Sequence, residues 1–226
     1  MPLTVGVLII GSLYWRPEGR DRWRRWRLDS DNKWLVKTPI RYGRRSQNQT
    51  YTMIFSPEHQ EDQFGQAVVV KCRRDVACAP DLIREAEWLW SAEDNKVPSL
   101  CCSSPKQSIS ASWGCVALLG NPRSEIPQNL LAEWAKHVIG HYAGNEQRLV
   151  DDRGMLRIPW PKLSSDGSPV PMDLLLATSN DRDATYPTVR EIAEAWNQHP
   201  EVDYFRSNRK HEIETFQDQA IRELLP

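Results

Sequence analysis

No apolar run in the sequence is long enough to cross a membrane. A helical span needs about 20 consecutive apolar residues, whereas the longest apolar run near the N-terminus covers only Val5 to Ile10. That run also lacks the basic segment and the small-residue cleavage site that a secretory signal peptide carries. We therefore expect a cytoplasmic protein that does not engage the membrane.

The sequence also lacks the motifs of several common enzyme classes. It contains no GxGxxG for a dinucleotide, no GxxxxGK[ST] for a nucleoside triphosphate and no GxSxG for a serine hydrolase. Its five cysteines form no CxxC pair, and an odd number without a secretory signal argues against a disulfide scaffold. His137 and His141 have metal-pair spacing, but no third ligand is evident. We expect neither a metal nor a cofactor.

Hydrophobic patterning predicts an α+β fold. Apolar and β-branched runs predict strands over Val5–Ile10, Trp34–Ile40, Tyr51–Phe55, Gln66–Cys72, Trp113–Leu119 and Leu174–Ala177. Amphipathic spacing and helix-start signals predict helices over Asp81–Glu93, Pro127–Tyr142 and Glu212–Leu225. A further helix is predicted to begin at the capping box formed by Thr188 and Glu191. Strands precede helices, which favours a mixed or antiparallel sheet. We expect a core over 1–125 and a helical extension over 126–226, packed as one compact unit.

The end of the first predicted strand carries the most informative local sequence, Gly11-Ser12-Leu13-Tyr14-Trp15. Glycine lets the chain turn sharply and lets a ligand approach the backbone closely. Successive backbone N–H groups can then converge on a carboxylate or a phosphate. We interpret this segment as a ligand-binding loop.

This loop resembles the strand-end signature of the γ-glutamylcyclotransferase superfamily, in which an aromatic residue commonly precedes Gly-Ser-Leu. Ile10 stands at that aromatic position here. The glutathione-degrading branch has a Trp at the position of Trp15, and a basic, tryptophan-bearing stretch follows, like Trp23-Arg24-Arg25-Trp26-Arg27. The resemblance covers roughly residues 5 to 122. It implies a γ-glutamylcyclotransferase-like mixed sheet or barrel with flanking helices, here with a helical C-terminal extension.

A second element of that family is a valine-rich strand followed by a helix with a Leu-Asp-x-x-Glu-like end, whose Glu is catalytic. In this chain the matching sequence is Leu89-Trp90-Ser91-Ala92-Glu93, with Trp90 at the acid position and Asp94 where glycine often follows. The resemblance therefore implies that Glu93 is the catalytic acid. Glu85 and Glu87 lie on the same predicted helix and are the alternatives, and Glu85 can share a face with Glu93.

The resemblance implies an enzyme that cleaves a γ-glutamyl amine or peptide without metal or cofactor. The substrate's own α-amino group attacks its γ-carbonyl, which gives 5-oxoproline and a free amine. Glu93 would act as base and then as acid, a role that partial burial favours. The substrate-binding residues would be Gly11, Ser12, Leu13 and Tyr14, and the backbone N–H groups of Ser12, Leu13 and Tyr14 would hold the α-carboxylate.

Arg41 and Arg44 are further candidate substrate-binding residues. They flank Tyr42-Gly43 after a predicted strand, and the fork of either guanidinium suits a carboxylate. The alternative interpretation is a surface turn with structural ion pairs.

Two other functions remain open from the sequence. The same pocket can belong to a non-catalytic module that binds an amino-acid-like ligand or a protein. Alternatively, the Arg/Trp stretch 15–27 can bind nucleic acid through arginine–phosphate contacts and base stacking. Residues 16–45 hold eleven Lys or Arg and four acidic residues, but the net charge of the chain is only −1. Nucleic acid is thus the less favoured partner, and the oligomeric state is not indicated.

Overall fold

A computed structural model of the protein describes residues 1–17, 20–46, 48–93, 115–138, 149–179 and 185–226. The strands in these residues are β1 (Val5–Ile9), β2 (Leu28–Thr38), β3 (Ile40–Arg45), β4 (Tyr51–Phe55), β5 (Gly65–Cys72), β6 (Cys115–Gly120), β7 (Lys162–Leu163) and β8 (Leu174–Ser179). The helices are α1 (Arg20–Arg27), α2 (Ala79–Glu93), α3 (Gln128–Val138), α4 (Val189–Gln198), α5 (Tyr204–Lys210) and α6 (Asp218–Leu224). None of the helices in these ranges is both long and apolar enough to span a membrane.

Six strands form one mixed sheet in the order β6-β8-β1-β5-β2-β7, and β3 pairs with β4 in a separate hairpin. Strand β1 runs antiparallel to β5 and parallel to β8. It is buried along its whole length, as expected for a continuous apolar strand that is covered on both faces. The predicted mixed α+β class is confirmed, and within the described ranges the strands close no barrel.

Most predicted elements lie where the sequence placed them. Strand β4 has the predicted bounds, and α2 ends at Glu93 as predicted. The capping box before α4 is present, because Glu191 N donates to Thr188 Oγ1 at 3.3 Å and Thr188 N donates to Glu191 Oε2 at 2.7 Å. The ends of two predicted elements, Trp113-Gly114 and 139–142, lie outside the described residues.

Three local predictions were wrong or incomplete. The predicted helix over Glu212–Leu225 is shorter, since α6 begins only at Asp218. The predicted strand Trp34–Ile40 is divided, since β2 ends at Thr38 and a second strand, β3, runs from Ile40 to Arg45. Helix α1 was not predicted, because its arginine-rich sequence has few apolar residues to mark a buried face.

The main sheet extends beyond the predicted core of residues 1–125. Strand β8 lies between β1 and β6, although it belongs to the segment predicted as a helical extension. Its apolar residues need cover on both faces, which the middle of a sheet provides. Thr4 N and Thr4 Oγ1 both donate to Asp173 Oδ2, at 2.7 and 2.8 Å, and so fix the start of β8 beside β1. The division at residue 125 therefore cuts through the sheet.

Helices α1 and α2 pack against each other and are joined by two Arg–Glu pairs. Near one end Arg27 Nε donates to Glu85 Oε2 at 3.1 Å. Near the other end Arg20 Nη2 lies 3.9 Å from Glu93 Oε2. The pairing order makes the helices antiparallel, with the two contacts about two helical turns apart. Burial raises the pKa of Glu85, and Arg27 opposes that shift.

Asp218 is a buried carboxyl group at the start of α6. Its Oδ1 accepts hydrogen bonds from Thr215 N at 2.8 Å and from Thr215 Oγ1 at 2.6 Å. Its Oδ2 lies 3.5 Å from the Tyr42 hydroxyl. Burial raises the pKa of Asp218 to about 6.

This carboxyl group predicts a pH-dependent stability. Because the folded protein holds the Asp218 proton more tightly than the unfolded chain, the free energy of unfolding should fall by roughly 2–3 kcal/mol as the pH rises from about 4 to about 6. Asp218→Asn keeps an acceptor for Thr215 but does not titrate, so this component should vanish. Urea unfolding of both proteins from pH 4 to 7 measures it; equal slopes against pH would contradict the prediction.

Candidate functional site

The loop Gly11–Trp15 leaves β1 in two overlapping tight turns. Tyr14 N donates to Gly11 O at 3.0 Å, and Arg16 N donates to Ser12 O at 2.9 Å. The N–H groups of Ser12 and Leu13 form no hydrogen bond with the described residues. Two adjacent backbone donors are therefore available to a ligand, whereas the Tyr14 N–H that we predicted as a third donor is used within the loop.

The loop forms one wall of a cavity of about 80 Å³. β1 and β8 are parallel, so their carboxyl ends meet at one sheet edge, a position where open α/β sheets commonly bind ligands. Among the described residues, the wall also includes the end of α2, the β3–β4 hairpin, the end of β8 and the start of α5. The polar side chains among the lining residues are those of Ser12, Arg44, Thr52, Glu93, Thr178, Ser179 and Tyr204.

Among the described residues that line this cavity, Glu93 is the only acidic one. It is the last residue of α2, and its side chain is 26% exposed. The Arg20 guanidinium beside it is 7% exposed and provides a nearby positive charge. The structure thus brings Glu93 and the loop to one cavity, as the two sequence motifs led us to expect.

Tyr204 is a lining residue that the sequence motifs did not reveal. Its hydroxyl oxygen accepts a hydrogen bond from Met53 N at 3.2 Å. Burial raises the pKa of Tyr204. The hydroxyl is therefore protonated at neutral pH and can donate a hydrogen bond. A Cβ atom at Gly11 would overlap this hydroxyl, so the close approach of Tyr204 to the loop requires glycine there.

The two candidate arginines have different positions. Arg44 lines the cavity, and its Nε donates to Thr52 Oγ1 at 3.1 Å. Arg41 does not line the cavity and is only 4% exposed. Its Nε donates to Ser56 Oγ at 2.8 Å, its Nη1 donates to Thr185 O, and its guanidinium lies 3.8 Å from the centre of the Tyr186 ring. These contacts fit the alternative interpretation, in which Arg41 has a structural role; that Arg41 binds substrate stays a prediction.

The side chain of Tyr14 also lies away from the cavity. Its hydroxyl accepts from Lys33 Nζ at 3.2 Å, and its ring makes an edge contact with His211 at 5.3 Å. Glu85 and Glu87, the alternative acids, do not line the cavity either. Glu85 instead faces Arg27 of α1, on the same side of α2 as Glu93.

The Arg/Trp stretch 15–27 mainly stabilises the protein itself. Trp15 Nε1 donates to Asn208 Oδ1 at 2.6 Å, and Trp23 is buried. Arg24 donates to the carbonyl oxygens of Leu13 and Arg16 and so supports the loop. Trp26, at 53%, is the tryptophan of this stretch that is well exposed. Most of the side chains that we considered for nucleic-acid binding therefore have intramolecular contacts.

Metal-ligating side chains are scattered. Within the described ranges no group of three His, Cys, Asp or Glu is arranged to hold a metal ion. Cys72 is buried, and burial raises the pKa of its thiol; Cys78 is exposed. His141, Cys101 and Cys102 lie outside the described residues.

Comparison with known proteins finds no family model, no curated protein and no solved structure that matches this chain. The chemistry of the cavity is therefore interpreted from its lining. Two free backbone donors and Arg44 suit a carboxylate, while Glu93 and Tyr204 are groups able to exchange a proton or donate a hydrogen bond.

The contact between Gly11 and Tyr204 predicts a specific coupling. Gly11→Ala should lower the free energy of unfolding by about 1–3 kcal/mol, because the new methyl group overlaps the tyrosine hydroxyl. In a Tyr204→Phe background the cost should be clearly smaller, because that hydroxyl is gone. Urea unfolding of the four proteins of this double-mutant cycle measures the coupling. Strict additivity of the two changes would show that the contact is not made.

Proposed function

We propose that the protein is a γ-glutamylcyclotransferase-like enzyme that converts a γ-glutamyl amine or peptide into 5-oxoproline and a free amine. The observation that supports the proposal most is the meeting of Glu93 with the Gly11–Leu13 turn at one cavity. These are the two motifs that resemble the family, and they are far apart in the sequence. A chance resemblance of either motif gives no reason for them to share a site.

The turn and its neighbours would hold the glutamyl group. The free N–H groups of Ser12 and Leu13 are suited to the α-carboxylate, since adjacent backbone donors form a small anion-binding concavity. The Arg44 guanidinium in the same wall adds positive charge for that carboxylate or for a second one on the leaving amine. Cyclisation also needs the γ-carbonyl folded back toward the α-amino group, and a second contact, from the Tyr204 hydroxyl to the carbonyl oxygen, would hold that arrangement.

Glu93 would transfer the proton that the reaction moves. The neutral form of the α-amino group attacks the γ-carbonyl carbon, and the Glu93 carboxylate accepts the one proton that this nitrogen loses as the new C–N bond forms. The Tyr204 hydroxyl is a donor for the negative charge that develops on the carbonyl oxygen. Glu93 then gives the proton to the leaving nitrogen as the original C–N bond breaks. The products are 5-oxoproline and the amine, and neither water nor an oxidant is consumed.

Arg20 would act as a positioning residue for this step. It does not line the cavity, but its guanidinium lies 3.9 Å from Glu93 Oε2. An ion pair at that distance restrains the orientation of the Glu93 carboxylate. The pair also fixes the end of α2 against α1, so the carboxylate is held from outside the cavity.

The test is to incubate the purified protein with glutathione, γ-glutamyl dipeptides and γ-glutamyl alkylamines, and to quantify 5-oxoproline by mass spectrometry. We expect product from at least one substrate class. Glu93→Gln should lower the rate by about 10²–10⁴-fold, the usual contribution of a general acid–base group.

The matched control is Glu87→Gln, which changes an acid of the same helix that lies outside the cavity wall and should leave the rate within about twofold. Circular dichroism establishes that both variants are folded. A rate unchanged by Glu93→Gln would overturn the assigned role. If these compounds bind but no 5-oxoproline forms, the protein is a non-catalytic binding module and not an enzyme of this kind.

A further inference from the structure

A second cavity, of about 230 Å³, lies between α4, α5 and α6. It is separate from the loop cavity, and no step of the proposed reaction uses it. We call it the arginine cavity, because Arg206, Arg209 and Arg222 all line it.

The floor of the arginine cavity is apolar and aromatic. Trp196 and Phe205 line it and are both at least 95% buried, with ring centres 6.1 Å apart. The indole of Trp196 also stacks on Tyr204, at 5.9 Å and an interplanar angle of 10°. Packing on both sides makes this floor a preformed surface for an apolar group, as ligand cavities usually are.

The rim of the arginine cavity is positively charged. Arg206 and Arg222 are exposed and form no ion pair with the described residues. Arg209 has one carboxylate neighbour, since its Nε lies 3.5 Å from Glu214 Oε1. Three cations around one cavity repel each other, and a bound anion would relieve that repulsion.

We propose that the arginine cavity is a binding site for a small amphipathic anion. The apolar body of the ligand packs on Trp196 and Phe205, and its carboxylate or phosphate group meets Arg206 and Arg222. A guanidinium fork matches both oxyanions. This proposal does not rest on the enzymatic activity proposed above.

The first test compares three probes by isothermal titration calorimetry on the full chain. 4-Phenylbutyrate combines an aromatic body with a carboxylate, 4-phenylbutanol has the body without the charge, and inorganic phosphate has the charge without the body. We expect 4-phenylbutyrate to bind at least tenfold more tightly than either. Equal binding of the alcohol, equal binding of inorganic phosphate, or no binding of 4-phenylbutyrate would each overturn the proposal. Phenyl phosphate in a parallel titration decides which oxyanion is preferred.

The second test locates the site. Arg206→Gln and Arg222→Gln should each weaken 4-phenylbutyrate binding about tenfold, the usual effect of losing one charge-assisted hydrogen bond. Arg190→Gln changes an exposed arginine of α4 that does not line the cavity, and should change binding less than twofold. In protein labelled with 5-fluorotryptophan, the ¹⁹F signal that Trp196→Phe removes should shift on titration. Unchanged affinity in both cavity variants, or shifts confined to other tryptophans, would contradict the assignment.

Discussion

The position of β1 in the middle of the main sheet is the constraint on which the loop cavity depends. β1 pairs antiparallel with β5 on one edge and parallel with β8 on the other. The parallel partner brings Thr178 and Ser179 to the same sheet edge as the loop that follows β1. Because both faces of β1 are buried, a polar substitution within it would leave an unsatisfied group in the core. The loop therefore follows directly from a strand that is fixed in the core. A binding site that relies on backbone N–H groups needs such support, because these groups must keep their positions.

Two side-chain arrangements then build the rest of the site on that base. The antiparallel helices α1 and α2 have an Arg–Glu contact at each end. The contact between Arg20 and Glu93 holds Glu93 at the cavity. Removing one partner of the buried Arg27–Glu85 pair would leave an uncompensated charge, so this pair fixes how α2 lies on α1. Tyr204 also lines the cavity, and its hydroxyl lies against Gly11 because glycine has no side chain to stand between them. The cavity is thus shaped by contacts between segments that are distant in the sequence.

That distance explains what the sequence could and could not predict. Local sequence signals mark three features: the loop after β1, the end of α2 and the Thr188 capping box. In the structure each feature lies at the position that its signal indicates. Tyr204 has no such signal, since its role depends on α5 packing across the chain onto Gly11. Arg41 and Arg44 were equivalent in sequence, but a bulge between Tyr42 and Arg44 changes the strand register, and bulges redirect the side chains around them. The position of β8 within the sheet could not be predicted either, because the hydrophobic pattern of a strand does not indicate which strand it pairs with.

The proposed function requires that the turn after β1 holds a carboxylate in the cavity that Glu93 also lines. The most direct measurement is a ¹H–¹⁵N NMR titration with 5-oxoproline, the product of the proposed reaction, on the wild-type protein. The largest shifts should be those of the Ser12 and Leu13 amides, because their N–H groups, which form no hydrogen bond with the described residues, would gain a charged acceptor. The Tyr14 amide, already bonded to Gly11 O, should move less. Shifts confined to residues outside the cavity, or none at saturating 5-oxoproline, would contradict the claim.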